Sequence, residues 1–283
     1  MSSGKLRELR GRIRSVIAIQ QTTRAMRMIA AVKLRKAQER LSQLRPYRQS
    51  AERLMGTLLA ALEEPHPSQL ANPNAPALYV ILSSSRGLCG AFNSSLLRWI
   101  QPQLPSPAQV HLLCLGKKAY EGLRRSPYSV ELVDIFGGKD VSPEAVYAQA
   151  QRLWQGFSQG AYSQVVLLYN RFGGVGKALP TREVILPLSS PKGTTDFRPW
   201  LYEPSLLELI TAFVPRYVTI ALTHAVQESL TAEHSARMVA MQMATDNAEE
   251  LLRTLRLQYN KARQASITKE LLEIVAGAEA LKK

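Results

Sequence analysis

The chain has 283 residues, 46% of them hydrophobic and 20% charged, with a net charge of +14. That composition suits about two globular domains and excludes wholesale disorder. No run of eighteen apolar residues occurs; the longest strongly apolar stretch, Ala77–Leu82, is far too short for a membrane-spanning helix, so the chain is expected to be soluble or peripheral to a membrane.

The first fifty residues carry most of the charge excess. They hold thirteen Lys/Arg against Glu8 and Glu39, a net +11, whereas residues 230–283 hold eight bases and seven acids. Such a block points to an acidic partner: nucleic acid, an anionic membrane or an acidic protein surface. The start, MSSGKLRELRGRIRSV, is Arg-rich and amphipathic like a transit peptide, but the pattern runs on unbroken for another thirty residues, as in a mature helix. Alternating steps of three and four place Leu6, Leu9, Ile13, Val16, Gln20, Thr23, Arg27, Ala30, Leu34, Ala37, Leu41 and Leu44 on one seam. Nine of these twelve are apolar and the exceptions are consecutive, which predicts a coiled-coil helix with a polar band in its middle. A helix of roughly fifty residues would be about 75 Å long. A slight kink is expected near Pro46, the only proline in it.

A Pro/Asn-rich linker, Glu63–Ala77, follows. Beyond it, strands at Leu78–Ser84, Val110–Leu115, Val130–Ile135 and Gln164–Asn170 alternate with helices at Asn93–Gln101, Lys117–Arg125 and Pro143–Phe157, before a last strand at Arg182–Leu188. Continuous apolar strands separated by helices predict a mostly parallel sheet covered on both faces, and the last two strands read as an antiparallel edge hairpin. From Pro215, placed in the first turn of a helix, to Lys283 there is no further proline and one glycine, Gly277. This second long helix, about 100 Å if unbroken, offers a seam of Leu230, Met238, Met241, Ala244, Ala248, Leu251, Leu252, Leu255, Tyr259, Ala262, Leu271, Ile274, Val275 and Ala278. The fold class is therefore α/β plus long α: an antiparallel coiled coil of the terminal helices with an inserted Rossmann-like α/β domain. The expected divisions are 1–62, 63–200 and 201–283.

Catalytic chemistry finds little support. SSSRGLCGAFN opens a helix after the first strand, where phosphate would bind, but it is not GxGxxG, and no acid ends the next strand to hold a ribose. FGGVGKAL fails as a phosphate loop because Arg171 stands where its first glycine belongs and Ala178 where Ser/Thr would hold magnesium; it reads as a hairpin turn. His66, His111, His224 and His234 lack metal-ligand spacing, and Cys89 and Cys114 make no CxxC and read as buried reduced thiols, so neither metal nor cofactor is expected. The basic first helix has no aromatic residue between Met1 and Arg45, which leaves phosphate-only nucleic-acid binding as the alternative to a protein partner.

Several stretches, matching in order, together carry a resemblance. QQTTRAMRMIAAVKLRKAQ (Gln20–Gln38), RGLCGAFN (Arg86–Asn93), WLYEP (Trp200–Pro204) and the long tail Glu228–Leu281 resemble the gamma subunit of the rotary F-type ATP synthase, bacterial type. The resemblance spans essentially the whole chain, although YNRFGGVGKALPTREVILPL departs from the Thr- and Gln-rich hairpin usual there. The cysteine-bearing regulatory insertion of the photosynthetic version has no counterpart.

The resemblance implies a central-stalk rotor that transmits torque between the ion-driven membrane ring of c subunits and the catalytic alpha–beta hexamer, one copy per complex. It implies no catalytic group and no nucleic acid. By motif, Arg24, Met26, Arg27 and Lys33 fall in the stretch facing acidic levers of the beta subunits, and Arg263, Gln264, Thr268 and Glu273 in the stretch contacting beta-subunit loops. Trp200, Tyr202 and Glu203 fall in the foot near the ring and the epsilon subunit. The implied location is the cytoplasmic face of a bacterial inner membrane. A turning shaft also needs few strong apolar contacts on its outside, which accounts for a tail poor in leucine.

Overall fold

A computed structural model of the chain describes residues 2–138, 141–189 and 201–280. The elements are α1 (Ser2–Ala60), β1 (Ala77–Ile81), α2 (Phe92–Ile100), β2 (Val110–Cys114), α3 (Lys117–Leu123), β3 (Ser129–Leu132), α4 (Pro143–Ser158), β4 (Val165–Phe172), β5 (Ala178–Leu186) and α5 (Leu206–Ala280). They form two compact units: residues 1–30 with 238–283, and residues 31–237. Both long helices contribute to both units.

The larger unit is built on a five-stranded sheet of order β3-β2-β1-β4-β5. β1 to β4 run parallel, and β5 returns antiparallel to β4 as the edge strand. The predicted parallel sheet with an antiparallel edge hairpin is the one found. Strand side chains alternate between two cores. Leu78, Val80, Leu113, Val165 and Leu167 face α4 together with Met55 and Leu59 of α1 and Ile210, Val214, Val218 and Leu222 of α5. Tyr79, Ile81, Leu112, Val166 and Leu168 face Leu96 and Ile100 of α2 and Ala119 and Leu123 of α3. Because both faces are covered, the central strands read as unbroken apolar runs rather than alternating ones. One stretch of α5 reaches the hydropathy and length of a membrane span (mean hydropathy 1.4); along this helix Ile210, Val214, Val218, Ala221, Leu222, Ala225 and Val226 belong to the first of these cores.

Pro46 lies inside α1, which continues through it to Ala60. One expectation about the long helices changes. Pro215 is not a first-turn residue, since α5 begins at Leu206. The start is set by Ser205, whose hydroxyl accepts from the Glu208 N–H (3.3 Å) and whose carbonyl accepts from the Leu209 N–H (3.1 Å). Ile210 and Val214, fully buried, hold these added turns on the core.

Candidate interaction surfaces

In the smaller unit α1 and α5 pair antiparallel. The Arg10 guanidinium donates to the Tyr259 hydroxyl (2.8 Å) and lies 5.7 Å from its ring centroid. The Thr23 hydroxyl donates to the Gln20 carbonyl (3.0 Å), and the Thr245 hydroxyl lies 2.9 Å from it and 2.7 Å from the Met241 carbonyl. Arg27 donates to the Gln242 side-chain carbonyl, and the Gln242 amide donates to Asp246 (2.7 Å). Each of these cross-helix contacts matches residue n of α1 with residue 268−n or 269−n of α5, so Ser2 stands opposite the neighbourhood of Ile267. Around the polar band, Leu9, Ala30, Met241, Ala248, Leu252 and Leu255 are buried. All twelve predicted seam positions of α1 are buried or half-buried.

The α5 seam departs from expectation at four described positions, the Ala278 side chain lying outside the described residues. Leu251 is exposed because Leu252 occupies the seam, and neighbours on a helix face directions about 100° apart. Leu271, Ile274 and Val275 are 58%, 67% and 59% exposed, because the register leaves no described residue of α1 opposite positions 268–280.

Among the residues singled out by sequence, Arg24, Arg263, Gln264, Thr268 and Glu273 are exposed, and Met26 only just so. Glu273 lies 3.7 Å from Lys269. Arg27 is half-buried against Gln242, so it joins the helices as well as facing outward. Arg24 lines a groove of about 240 Å³ with Gln20, Glu249, Leu252, Arg253 and Arg256. Nothing in the sequence around Arg253 and Arg256 sets them apart; the register that brings them beside Arg24 depends on both helices and is not visible in either alone.

Lys33 belongs to the larger unit, where it is half-buried. Its charge acts on Glu233, whose carboxyl is pushed up by burial and pulled back by Arg237, Lys33 and Arg86. Arg237 pairs with Glu233 (2.7 Å) and donates to the carbonyls of Arg86 (3.5 Å) and Gly87 (3.3 Å), holding the RGLCG loop against α5. Tyr202 is half-buried against the main core, and Glu203 is exposed. Trp200 lies outside the described residues.

Two further nodes tie the helices to the sheet. Arg48, 8% exposed in its side chain, donates to Glu52 (2.7 Å) and Glu183 (2.7 Å) and stacks 5.0 Å over Tyr217. Tyr169 donates to the other oxygen of Glu183 (2.9 Å). Glu228, 2% exposed, accepts from Arg45 (3.1 Å) and from the Phe172 N–H (2.8 Å), with His224 3.7 Å away. Each joins α1, α5 and the β4–β5 hairpin. Arg48 and Glu228 look unremarkable in the sequence; only the fold shows that they are buried.

The strand ends where a nucleotide would bind are closed by internal bonds. The Ser84 N–H donates to Asn93 (3.1 Å), the Lys117 N–H to the Ser85 hydroxyl (3.4 Å) and the Ala119 N–H to the Ser83 hydroxyl (2.9 Å). A Cβ on Gly116 would sit 2.1 Å from the Ser83 carbonyl oxygen, so this glycine serves close chain approach rather than a phosphate. FGGVG is a hairpin turn, closed by Gly173 N–H to the Lys177 carbonyl and Lys177 N–H to the Gly174 carbonyl, both 3.0 Å. Cys89 and Cys114 are free and buried, and burial pushes the Cys114 thiol up to about 12.

A family model described as ATP synthase matches residues 5–281. The chain is 39% identical to the ATP synthase gamma chain of Moorella thermoacetica, over 98% of this chain and 99% of that one. It is 38% identical to that of Christiangramia forsetii, over 98% of each. In fold it is similar to a chain of the Euglena gracilis mitochondrial ATP synthase OSCP/F1/c-ring structure in rotational state 3, with a TM-score of 0.70, 22% identity and coverage of 99% of this chain and 95% of that one. A second similarity, at TM-score 0.66, 20% identity and coverage of 94% and 99%, is to a chain of the Euglena gracilis mitochondrial ATP synthase rotor.

Proposed function

The chain belongs to the ATP synthase gamma-chain family, and we propose that it is the central-stalk rotor of an F-type ATP synthase. It carries torque between an ion-driven ring of c subunits and an alpha–beta hexamer. It supplies no catalytic group, and its place is the cytoplasmic face of a bacterial inner membrane. The observation that supports this most directly is the helix pair of the smaller unit, whose seam is narrow and whose outer positions are predominantly exposed polar residues. A shaft that must pass through three equivalent seats cannot dock by a broad apolar face. Exposed charge contacts, each worth about 0–1 kcal/mol, make and break readily.

On this reading Arg24, Met26, Arg27 and Lys33 meet the beta subunits along one stretch. Arg263, Gln264, Thr268 and Glu273 meet them along another, the last two where no described residue of α1 stands opposite. Trp200, Tyr202 and Glu203 serve the foot, with epsilon and the ring. The three-part division at 62/63 and 200/201 then separates the first long helix, the linker with the central α/β domain, and a C-terminal segment that opens with Tyr202 and Glu203 of the foot before α5.

The test is reconstitution. The chain added to alpha and beta subunits is expected to yield a complex with one copy of this chain that hydrolyses ATP, while the chain alone binds no ATP by titration calorimetry. Saturable ATP binding to the isolated chain, or no complex with alpha and beta, would count against the reading.

A further inference from the structure

Four elements of the larger unit are joined by a closed ring of directional bonds. Glu183 of β5 accepts from Arg48 of α1 at one oxygen (2.7 Å) and from Tyr169 of β4 at the other (2.9 Å). Glu228 of α5 repeats the pattern, accepting from Arg45 of α1 (3.1 Å) at one oxygen and from the Phe172 N–H of β4 (2.8 Å) at the other. Each carboxylate thus ties an arginine of α1 to a donor on β4. The two arginines are one turn apart on the same face of α1, which closes the ring. Tyr217 of α5 braces it by stacking on the Arg48 guanidinium. Cohesion alone does not call for charges here, since apolar residues of similar volume hold buried elements together as well or better. The adjoining core of Val218, Leu222 and Ala225 already does so. Apolar attraction has no preferred direction. A ring of charged hydrogen bonds in a low-dielectric surrounding does, and no two of its elements can shear without stretching a bond. Among the described residues the smaller unit holds α1 and α5 alone, so any load passed between it and the sheet travels along these two helices.

We propose that this ring is the joint by which the sheet domain turns both helices together. Arg45 and Arg48 position α1, and Glu228 positions α5, against the β4–β5 hairpin. The proposal rests on the rotor reading and assigns torque transfer to positioning residues inside this chain. Because Arg48 and Glu228 are buried, salt screens the joint far less than it screens charges on the outside of the helix pair.

Comparing a membrane-bound complex, which works under load, with a soluble one, which does not, tells a joint from a merely structural contact. Arg48→Met, Glu183→Leu and Tyr169→Phe, made together, remove one side of the ring and leave no buried ion unpaired, so the fold is expected to persist. Arg45→Met with Glu228→Gln removes the other side and keeps an acceptor for the Phe172 N–H; this variant decides alone if the first does not fold. For each, the thermal midpoint of the isolated chain and ATP hydrolysis by the soluble complex with alpha and beta subunits should be unchanged. ATP synthesis by the membrane-bound complex should fall several-fold, and the angular fluctuation of a bead fixed to the sheet domain of a stalled soluble complex should broaden. Unchanged synthesis and fluctuation in a folded variant overturn the proposal while leaving the rotor reading standing. Soluble hydrolysis that falls in step with synthesis also overturns it, since the ring would then serve assembly rather than load transfer. Absence of any complex between the unsubstituted chain and alpha and beta overturns that reading and the joint with it.

Discussion

Arg48 of α1 and Glu183 of β5 form an ion pair of 2.7 Å between side chains that are 8% and 23% exposed, with Tyr217 of α5 stacked on the guanidinium. Burial works against the Arg48 charge, but Glu183, Tyr217 and Glu52 outweigh it and hold its pKa raised. Removing one member of a buried pair costs roughly 3–5 kcal/mol, because the other is left charged and unpaired. Glu183 keeps some water contact, so Arg48→Ala is expected at the low end of that range, read as a lowered urea midpoint at unchanged slope. Arg48→Lys should recover only part of the loss, since an ammonium cannot reach both carboxylates and stack on the ring at once.

Two histidines make stability depend on pH. Burial lowers the pKa of both His66 and His224. At His66 the geometry agrees: Nδ1 accepts from the Ser68 N–H (3.1 Å), so it has no room for a proton. Around His224, Glu228 and Glu183 favour the charged form and Arg48 and Arg45 oppose it, with burial the largest influence. A folded-state pKa below the unfolded value means that the unfolded chain binds more protons. Stability is then full above the unfolded value of about 6.5 and declines as pH falls below it. The urea midpoint measured from pH 7.5 to 5 should fall, and His66→Gln with His224→Gln should flatten that part of the curve.

The polar band of the helix pair predicts a non-additive pair. Thr245→Val alone removes the partner 2.9 Å from the Thr23 hydroxyl, whereas Thr23→Val with Thr245→Val replaces both by apolar groups of similar shape. The single change should cost about 0.5–1.5 kcal/mol, and the double should lie near neutral or be stabilising. Thermal unfolding of the four members of the cycle gives the coupling. Additive losses would show that the hydroxyls do not act together.

The parts most legible in sequence were those governed by one local period. The α1 seam from Leu6 to Leu44 follows a single spacing, and the strands from Leu78 to Asn170 are apolar runs that only a sheet covered on both faces explains. What could not be read depends on a second element. Leu271, Ile274 and Val275 look like seam residues until the register shows no described residue of α1 opposite them. Pro215 looks like a helix start until Ser205 and the core beneath Ile210 extend the helix backwards. Arg48 and Glu228 look like surface charges because their burial comes from three elements far apart in sequence.

The end of α5 gives the sharpest test of function. Arg263 and Gln264 are exposed, so their removal should leave stability within about 0.5 kcal/mol. Positions from Thr268 onward have no described α1 residue opposite, and the apolar surface of Leu271, Leu272, Ile274 and Val275 stays exposed at 58–67%. Residues idle in this chain's own stability but engaged by a surrounding hexamer should change turnover without changing the fold. Arg263→Ala with Gln264→Ala is therefore expected to leave the thermal midpoint of the isolated chain unmoved while lowering coupled ATP synthesis in the assembled complex. Two exposed polar contacts worth about 0–1 kcal/mol each limit the fall to about thirtyfold. A lowered thermal midpoint would assign the two residues to the helix pair instead, and unchanged synthesis at full assembly would remove them from the contact surface.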